Sequence, residues 1–364
     1  DSIYRGREDF VYRMTIGELP FITGIHPMGC RVGESARVVM SGWNLEGAKL
    51  SGLGRNTKPG VFQRTASKGR FISNPVSFEV CRGPEITEDP TDGHADTIRK
   101  IAIPVTVNGR IESEGDEDVF SFTGTKGQKL VVETRARRLG SPLDSTLRVT
   151  NRHGKVLALS DDHEDLGSGT STHHADSYLM LTLPDDGDFF VHVSDAARDG
   201  GPEFSYRLSL RAPEPDFELR VTPSRVAMRN RGSGRVEVHI IRKDGFVAPV
   251  KLELMDPPKG YACWSVSLEP HMDKVHLGIK NSLNKADGPT ALRVQGTARV
   301  GGREIIREAV PAEDRMQAFL WRHLVPADDL QAMVFYQPSK RRKSASKASK
   351  AGKSDRRTSE EPRE

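Results

Sequence analysis

The sequence predicts an all-β chain built from tandem antiparallel β-sandwiches. Its periodic segments alternate apolar and polar residues, as in RVVMSGW (37–43), KLVVETRA (129–136), DFFVHVSD (188–195) and RVEVHIIR (235–242). This period of two is typical of strands with one buried face. Gly, Pro, Asn and Asp separate such segments at intervals of about eight to twelve residues, which favours sandwiches.

The start of the chain resembles a later segment of the same chain. Residues 1–16 align without gaps with residues 195–210, and in both the apolar residues alternate after a Gly-containing turn. Self-similarity of this kind indicates a repeated unit. We therefore interpret residues 1–17 as the last hairpin of a preceding sandwich, and the chain as the C-terminal part of a larger protein. The identical pairs are Asp1/Asp195, Gly6/Gly200, Phe10/Phe204, Tyr12/Tyr206 and Arg13/Arg207.

Linker-like segments divide the rest of the chain. GELP at 17–20, the acidic RGPEITEDPTDGHADT at 82–97 and RAPEPDF at 211–217 combine Pro with few apolar residues, a composition typical of stiff connections. The segment 311–324 fits either a helix or a strand followed by a turn. The predicted units are the hairpin 1–17, three sandwich modules at 18–83, 84–212 and 213–338, and a tail at 339–364.

The charge of the chain is concentrated in this tail. The net charge is +4, but residues 339–364 carry ten Lys/Arg and four Asp/Glu, or +6, so the remainder carries 44 basic and 46 acidic residues, or −2. The tail lacks aromatic and branched apolar residues, so we expect it to be disordered. Its composition is similar to that of a nucleic-acid patch, but we favour a solvated tail and do not expect nucleic acid as a partner.

Composition also excludes several classes of protein. No segment reaches the run of about 18 apolar residues that a membrane span needs, and no secretion signal is visible, as expected where the N-terminus is a cut. Cys30, Cys81 and Cys263 form no metal motif. Cys30 and Cys81 flank one module, and their pairing is left open.

The middle of the chain, from about residue 100 to 212, resembles the bacterial pre-peptidase C-terminal domain. This family is a jelly-roll-like β-sandwich appended to secreted peptidases and other exported proteins. The resemblance implies a non-catalytic accessory module. The matching elements are Gly109, GDEDVFSF (115–122), GQKL (127–130), SPLDSTL (141–147), SDD (160–162), ADS (175–177), DGDFFVHV (186–193) and YRLSL (206–210).

The flanking segments resemble other β-sandwich modules. PFITGIHPMGCRVGESARVVMSGWNL, at 20–45, is similar to an IPT/TIG-type immunoglobulin-like module, and 213–338 is Ig-like by its strand rhythm. The expected order of sandwiches is therefore Ig-like, jelly-roll-like and Ig-like. This order is similar to that of large exported bacterial proteins, some of which carry an upstream peptidase.

Two acidic groups are candidate calcium sites, because calcium takes six to eight oxygen ligands from converging loops. In collagen-binding domains related to this family, an acidic linker folds onto a hairpin and holds calcium. The segment TEDPTD (87–92) keeps part of the sequence pattern of that linker, but Thr87 and Thr91 depart from it. Solvated turns with Asx caps are the alternative. The first group is Glu88, Asp89, Asp92, Asp116 and Asp118; the second is Asp144, Asp161, Asp162, Glu164, Asp165 and Asp176.

Other sites are less favoured by the sequence. A zinc site at His174 and Asp176, and a hydrolase using these residues with Ser177, lack the motifs of their classes. Arg135, Arg137 and Arg138 are interpreted as a solvated strand face with a share in salt bridges, and acidic-glycan binding is the alternative. The tryptophans at 43 and 264 are predicted to pack in a core or between modules.

We therefore expect spacer, accessory or anchoring modules of a secreted, periplasmic or cell-surface bacterial protein, without catalytic residues. The expected partners are other domains of the same polypeptide and extracellular protein or polysaccharide. The alternative is a calcium-dependent module that binds collagen-like protein or glycan, with calcium as its one cofactor.

Overall fold

The structure is a computed structural model, and strands make up most of it. It confirms the predicted all-β class with multiple antiparallel sheets. The predicted hairpin 1–17 lies almost wholly, and the tail 339–364 entirely, outside the described residues. No helix among the described residues is long and apolar enough to cross a membrane. The described residues are 14–54, 57–88, 98–164, 175–316 and 322–337.

The first module contains three small sheets, ordered β1-β3, β2-β8-β5 and β4-β6-β7. Its longest strands, β1 and β8, send apolar residues into a shared core; Phe78 and Val80 of β8 alternate, whereas Ile22 and Ile25 of β1 are separated by an irregularity in the pairing. The strands are β1 (Phe21–His26), β2 (Gly29–Arg31), β3 (Val39–Trp43), β4 (Lys49–Leu50), β5 (Gly60–Arg64), β6 (Ala66–Lys68), β7 (Phe71–Ile72) and β8 (Val76–Cys81).

The second module is a sandwich of two five-stranded sheets, ordered β10-β12-β17-β14-β15 and β16-β13-β18-β11-β9. One strand, β9, lies inside the predicted linker 82–97 and pairs in parallel with β11. The strands are β9 (Glu85–Thr87), β10 (Arg99–Lys100), β11 (Val105–Arg110), β12 (Glu117–Gly124), β13 (Lys129–Arg135), β14 (Ser145–Asn151), β15 (Val156–Ser160), β16 (Tyr178–Thr182), β17 (Gly187–Asp195) and β18 (Ser205–Arg211), with a 3₁₀ helix at Arg137–Leu139.

In the third module, long strands change partners along their length and connect the layers. β26 pairs with β29, then β22, then β27, and β27 continues to β19 and β28, as in sandwiches whose strands switch sheets. The strands are β19 (Asp216–Thr222), β20 (Arg225–Arg229), β21 (Ser233–Lys243), β22 (Val250–Met255), β23 (Tyr261–Cys263), β24 (Val266–Leu268), β25 (Lys274–Asn281), β26 (Thr290–Val300), β27 (Arg303–Met316), β28 (Arg322–Pro326) and β29 (Leu330–Phe335).

Two open alternatives are settled by the strands. The first half of the segment 311–324 is strand, because β27 runs to Met316.

The three cysteines are free. In the parallel pair of β2 and β8, Cys30 lies opposite Val80 and Arg31 lies opposite Cys81, so the two thiols are offset by one residue and point to opposite faces.

Each module has its own hydrophobic core, but one side chain of the second module packs in the core of the first. Phe120 and Phe122 are buried in the second core, as their alternation predicts. Leu139, on the 3₁₀ helix of the second module, instead packs with Ile22, Ile25 and Phe78 in the core of the first. The second module thus inserts an apolar side chain into its neighbour, which fixes how the two modules dock.

Candidate functional site

One face of the second module carries a row of charged side chains that neighbouring modules cover. Along β13 the residues Leu130 and Val132 enter the core, so Glu133 and Arg135 point to the other face. In the pairing with β18, Arg135 lies opposite Arg207. Alternation predicts that such a face is solvated, yet Arg207 is 1% exposed.

Arg207 is the centre of the junction between the first and second modules. Its Nε donates to Glu79 Oε2 of β8 at 2.8 Å, and its Nη1 donates to Glu85 Oε1 and Asn108 Oδ1, each at 2.7 Å. Burial by itself raises the pKa of Glu85, but hydrogen bonds from Arg207 outweigh it and hold that pKa below its ordinary value. Such a buried pair is stable only when its partners are satisfied, as they are here.

Gly29 of the first module makes room for this guanidinium. A Cβ at Gly29 would lie 2.0 Å from Arg207 Nη1 and 2.5 Å from the Glu79 carbonyl oxygen. The close approach of β2 to the charged face therefore requires a residue without a side chain.

Replacing Gly29 with Ala is expected to destabilise the chain by about 1–3 kcal/mol, because the methyl group must displace the buried guanidinium. Urea denaturation measures this change. Gly52→Ala is the matched control, since a Cβ there meets nothing within 4 Å. Equal stabilities of the two variants would contradict the close packing described above.

Glu133 gathers three guanidinium groups at the middle of the charged face. Its Oε1 accepts from Arg138 Nη2 at 2.9 Å and from Arg135 Nε at 3.5 Å, and its Oε2 accepts from Arg211 Nη2 at 3.5 Å. Burial opposes ionisation of Glu133, but the charges of Arg135 and Arg138 outweigh it and lower its pKa to about 2. The predicted share of Arg135 and Arg138 in salt bridges is therefore present, whereas the predicted solvation is only partial, because both side chains are half-buried against this carboxylate.

The same face reaches the third module through Asp244. Arg211 donates to both oxygens of Asp244, and Tyr178 Oη donates to Asp244 Oδ1 at 2.9 Å. Asp244 lies in the turn after β21 with a φ of 50°, and its side chain is 3% exposed. Its carboxylate therefore takes its side-chain hydrogen bonds from the second module, and its Oδ2 also accepts from the backbone N–H of Glu214 at 2.8 Å.

These contacts form one continuous series of ion pairs across three modules. Arg135 joins the two junctions, because it contacts Glu79 of the first module and Glu133 of the second. The series runs through Glu85, Arg207, Glu79, Arg135, Glu133, Arg211 and Asp244.

A second charged cluster joins Glu88 and Asp118, two residues of the first predicted calcium group. Asp118 is 2% exposed and accepts from Tyr206 Oη at 2.7 Å. Glu88 Oε2 accepts from the backbone N–H of Arg110 at 3.2 Å, whereas Glu88 Oε1 is buried without a hydrogen-bond partner among the described residues. Burial raises the pKa of both carboxyl groups. The charge of Asp118 raises the pKa of Glu88 further, and the charge of Asp116 raises that of Asp118 against the lowering effect of the hydrogen bond from Tyr206.

The remaining members of that group are placed differently. Asp116 Oδ2 accepts from the backbone N–H of Glu112 at 2.8 Å, and Asp89 and Asp92 lie outside the described residues. Gly109 makes space for the cluster, since a Cβ there would lie 2.3 Å from Tyr206 Oη and 2.7 Å from Glu88 Oε2. Within the described ranges, no group of three or more His, Cys, Asp or Glu is arranged to hold a metal ion.

The second predicted calcium group is dispersed among structural roles. Asp176 caps the 3₁₀ helix: its Oδ1 accepts from the N–H groups of Ala136 and Arg137, and its Oδ2 accepts from Arg138. Asp161 and Asp162 are exposed and Asp144 is half-buried. Glu164 is exposed as well, and Asp165 lies outside the described residues.

The less favoured catalytic alternative meets a steric obstacle. Ser177 is fully buried, and its hydroxyl donates to the backbone carbonyl oxygen of Ser145. A substrate cannot reach a nucleophile in that position, while His174 lies outside the described residues.

Two sequence predictions about aromatic residues are wrong. Trp43 is 63% exposed and Trp264 is 48% exposed, so neither is a core residue. Trp43 packs beside Phe21 with ring centroids 5.8 Å apart. Trp264 lies flat against Gly278, with Lys280 Nζ 4.1 Å from its ring centroid.

Sequence reasoning missed Arg207, Glu79 and Asp244 as junction residues. One signal was present: Arg207 and Arg13 are identical in the repeated phrase, on the face where alternation requires only a polar residue. Nothing in the sequence marks Glu79 or Asp244, because their partners are distant in the chain.

Comparisons with known proteins add little to this description. No protein-family model matches the chain, and no curated protein matches it. One solved structure, described as "a putative secreted protein from Eubacterium rectale", is similar with a TM-score of 0.25 and 9% sequence identity, over 54% of this chain and 75% of that chain. At this TM-score the likeness supports no inference about the function of this chain.

Proposed function

We propose that the chain is a rigid, non-catalytic array of β-sandwich modules that spaces or anchors a partner domain of a secreted, periplasmic or cell-surface bacterial protein. The resemblance to the pre-peptidase C-terminal domain suggests an upstream peptidase as one such partner domain. Extracellular protein or polysaccharide is the other expected class of partner.

The series of ion pairs across both junctions is the observation that supports this proposal. Independent modules on flexible linkers keep solvated surfaces and move relative to each other. Here Arg207 and Asp244 are buried, and each pairs with a residue across a junction. A buried charge that loses its partner is strongly destabilised. Bending at a junction would separate these pairs, so the array resists bending.

Replacing Glu133 with Gln keeps the side-chain volume and is expected to loosen the array. Arg135 and Arg211, which pair with Glu79 and Asp244 of the neighbouring modules, lose the anion that positions them. Double electron–electron resonance measures the effect, with spin labels at Lys49→Cys and Lys259→Cys, both exposed positions, in a chain whose native cysteines are Ser. We expect a narrow distance distribution for the parent chain and a broader one for Glu133→Gln.

Glu308→Gln is the matched control for this experiment. Glu308 pairs with Arg293 inside the third module, and both side chains are about half exposed, so the inter-module distance should not change. A distribution that is already broad in the parent chain would contradict the rigid array.

The second candidate function is calcium-dependent binding of collagen-like protein or glycan. The orphaned Oε1 of Glu88 beside the buried Asp118 favours it, since a cation would satisfy both carboxylates at once. Glu88, Asp116 and Asp118 would supply oxygens, together with Asp89 and Asp92. Calcium would add positive charge where burial now disfavours ionised carboxylates.

A further inference from the structure

Four segments of the third module meet at the end of the sandwich where β29 finishes. Three backbone hydrogen bonds join them, and each bond links a different pair of segments. The bonds run from the Arg231 N–H to the Leu283 carbonyl oxygen, from the Ser282 N–H to that of Gly260, and from the Asn230 N–H to that of Phe335. We refer to these segments together as the basic end: 229–233, 256–260, 281–289 and 335–337.

The basic end carries a net positive charge of +2. Arg229 and Arg231 are exposed, and neither has an ion-pair partner among the described residues. The acidic residues that precede β29, Asp328 and Asp329, lie at the other end of that strand, about 20 Å from Phe335 at the rise of a strand. The four cations are Arg229, Arg231, Lys259 and Lys285, and the two anions are Asp256 and Asp287.

The sequence adds more positive charge directly after this end. The backbone N–H of Gln337 donates to Asn230 Oδ1 at 3.1 Å, so the chain passes from the sandwich toward the tail at the basic end. The tail, 339–364, carries +6, and with the +2 of the basic end the total is +8. Charge of one sign concentrated in this way attracts a partner of opposite sign. The partner that suits this end is therefore anionic.

Exposed apolar side chains lie among the arginines of this end. Met333, Phe335 and Tyr336 are 41%, 43% and 67% exposed. Val334 enters the core, so Met333 and Phe335 point to the outer face of the sheet, where Phe335 lies opposite Arg229. The surface of a bilayer places phosphate groups next to apolar chains, and aromatic side chains with a polar tip, such as Tyr, suit that boundary. The combination favours a lipid surface over a soluble polyanion.

We propose that the basic end of the third module binds the surface of a membrane that contains anionic phospholipids. Arg229 and Arg231 meet the phosphates, Phe335 and Tyr336 enter the interface, and the tail adds attraction to neighbouring lipids. Affinity of this kind rises with the apolar area buried and with the number of basic residues. The proposal names a partner for the anchoring role proposed above and rests on that role; vesicle binding and inter-module distances are separate measurements, so either can fail alone.

Cosedimentation of the full chain with phospholipid vesicles tests the proposal. Vesicles of phosphatidylcholine with phosphatidylglycerol are the anionic probe, and vesicles of phosphatidylcholine alone are the neutral probe. We expect binding to the anionic vesicles and much weaker binding to the neutral ones. Binding should fall steeply in about 1 M salt, where the Debye length is only about 3 Å.

The double variant Arg229→Gln with Arg231→Asn tests the charges of the folded end while the tail is kept. Asn suits the positive φ of 50° at position 231. Each basic residue near an anionic bilayer contributes about fivefold to binding, so the variant should bind the anionic vesicles at least fivefold more weakly. Arg299→Gln with Arg303→Gln is the matched control, because both residues are exposed at the opposite end of β26, and its binding should not change.

The double variant Phe335→Ser with Tyr336→Ser keeps every charge and tests the apolar contribution. It should weaken binding to the anionic vesicles at least about fivefold, because two apolar side chains no longer leave water. Trp43→Ser removes an aromatic side chain that is 63% exposed in the first module, and it should leave binding unchanged. Circular dichroism checks the fold, and Tyr336→Ser alone, beyond the last residue of β29, replaces the double variant if that is unfolded.

Four results would overturn the proposal. The first is equal binding of the parent chain to anionic and neutral vesicles, and the second is unchanged binding of the arginine variant. The third is unchanged binding of the aromatic variant, since charge alone then explains the attraction. The fourth is an equal loss of affinity of the aromatic variant for single-stranded DNA, because the two rings would then stack on bases and the partner would be nucleic acid.

Discussion

Replacing Arg207 with Met is expected to lower the free energy of unfolding by about 3–5 kcal/mol, the largest loss that a single charge removal should cause in this chain. Met keeps much of the side-chain length but provides no donor. Glu79 and Glu85 then remain buried without their cation, and Asn108 Oδ1 loses its donor. Urea denaturation followed by circular dichroism measures this loss.

The pH dependence gives the same prediction an independent readout. In the parent chain Arg207 lowers the pKa of Glu85. The stabilisation that ionised Glu85 provides is therefore fully present above the pKa of Glu85 in the unfolded chain, and it is lost as pH falls through the pKa of Glu85 in the folded chain. In Arg207→Met, burial without a cation raises the pKa of Glu85, and stability increases as pH falls toward the unfolded value near 4.3. The difference between the two chains should therefore narrow as pH falls from 8 to about 4.

Arg293→Met is the matched control. Arg293 forms a two-bonded pair with Glu308, at 2.7 and 2.6 Å, but both side chains are about half exposed. Exposed pairs contribute about 0–1 kcal/mol, so this substitution should have a small effect. If the two substitutions lower the free energy of unfolding by similar amounts, burial of Arg207 at the junction does not strengthen its ion pairs.

The architecture could be predicted from local pattern, because alternation reports which face of a strand is buried. Phe120 and Phe122 enter the core as their spacing requires. Asp116 acts in the turn chemistry that the sequence favoured for its acidic residues, since its Oδ2 accepts from the backbone N–H of Glu112, four residues away. Both features depend on residues close in the chain or on burial within one sandwich.

The junctions could not be predicted, because alternation does not say what covers the polar face of a sheet. Arg207 and Glu79 are 128 residues apart, and no local spacing joins them. Trp43 shows the converse error: its size favours burial, but it is 63% exposed at the end of β3, where it contacts the ring of Phe21. Tertiary packing decides both positions.

The charged face and the carboxylate cluster occupy different places in the second module. Arg211 of the charged face pairs with Glu133 in its own module and with Asp244 of the third. The cluster of Glu88 and Asp118 is distinct, because it lies where β9 meets the first hairpin of the second module.

Saturating calcium is expected to raise the free energy of unfolding by about 3–4 kcal/mol if the cluster of Glu88 and Asp118 binds it, at free concentrations several hundredfold above Kd. Without calcium, burial raises the pKa of both carboxyl groups, so stability falls as pH rises from the unfolded pKa values through the folded ones. Calcium takes the place of the protons, so its stabilising effect should grow over the same rise in pH. Thermal unfolding in calcium and in chelator, from pH 5 to 9, measures both effects.

Glu88→Gln tests the proposed calcium site, and Glu117→Gln is the control at a neighbouring carboxylate. Glu88→Gln removes a buried carboxylate, so it should abolish the calcium response and reduce the loss of stability at high pH in chelator. Glu117 neighbours Asp118 on β12 but pairs with Arg148 and His192, which lower its pKa to about 2, so its substitution should leave the calcium response intact. If the Tm of the parent chain is the same in calcium and in chelator, the calcium function is contradicted. Glu88 and Asp118 would then be two buried carboxyl groups that are stabilised by protons alone.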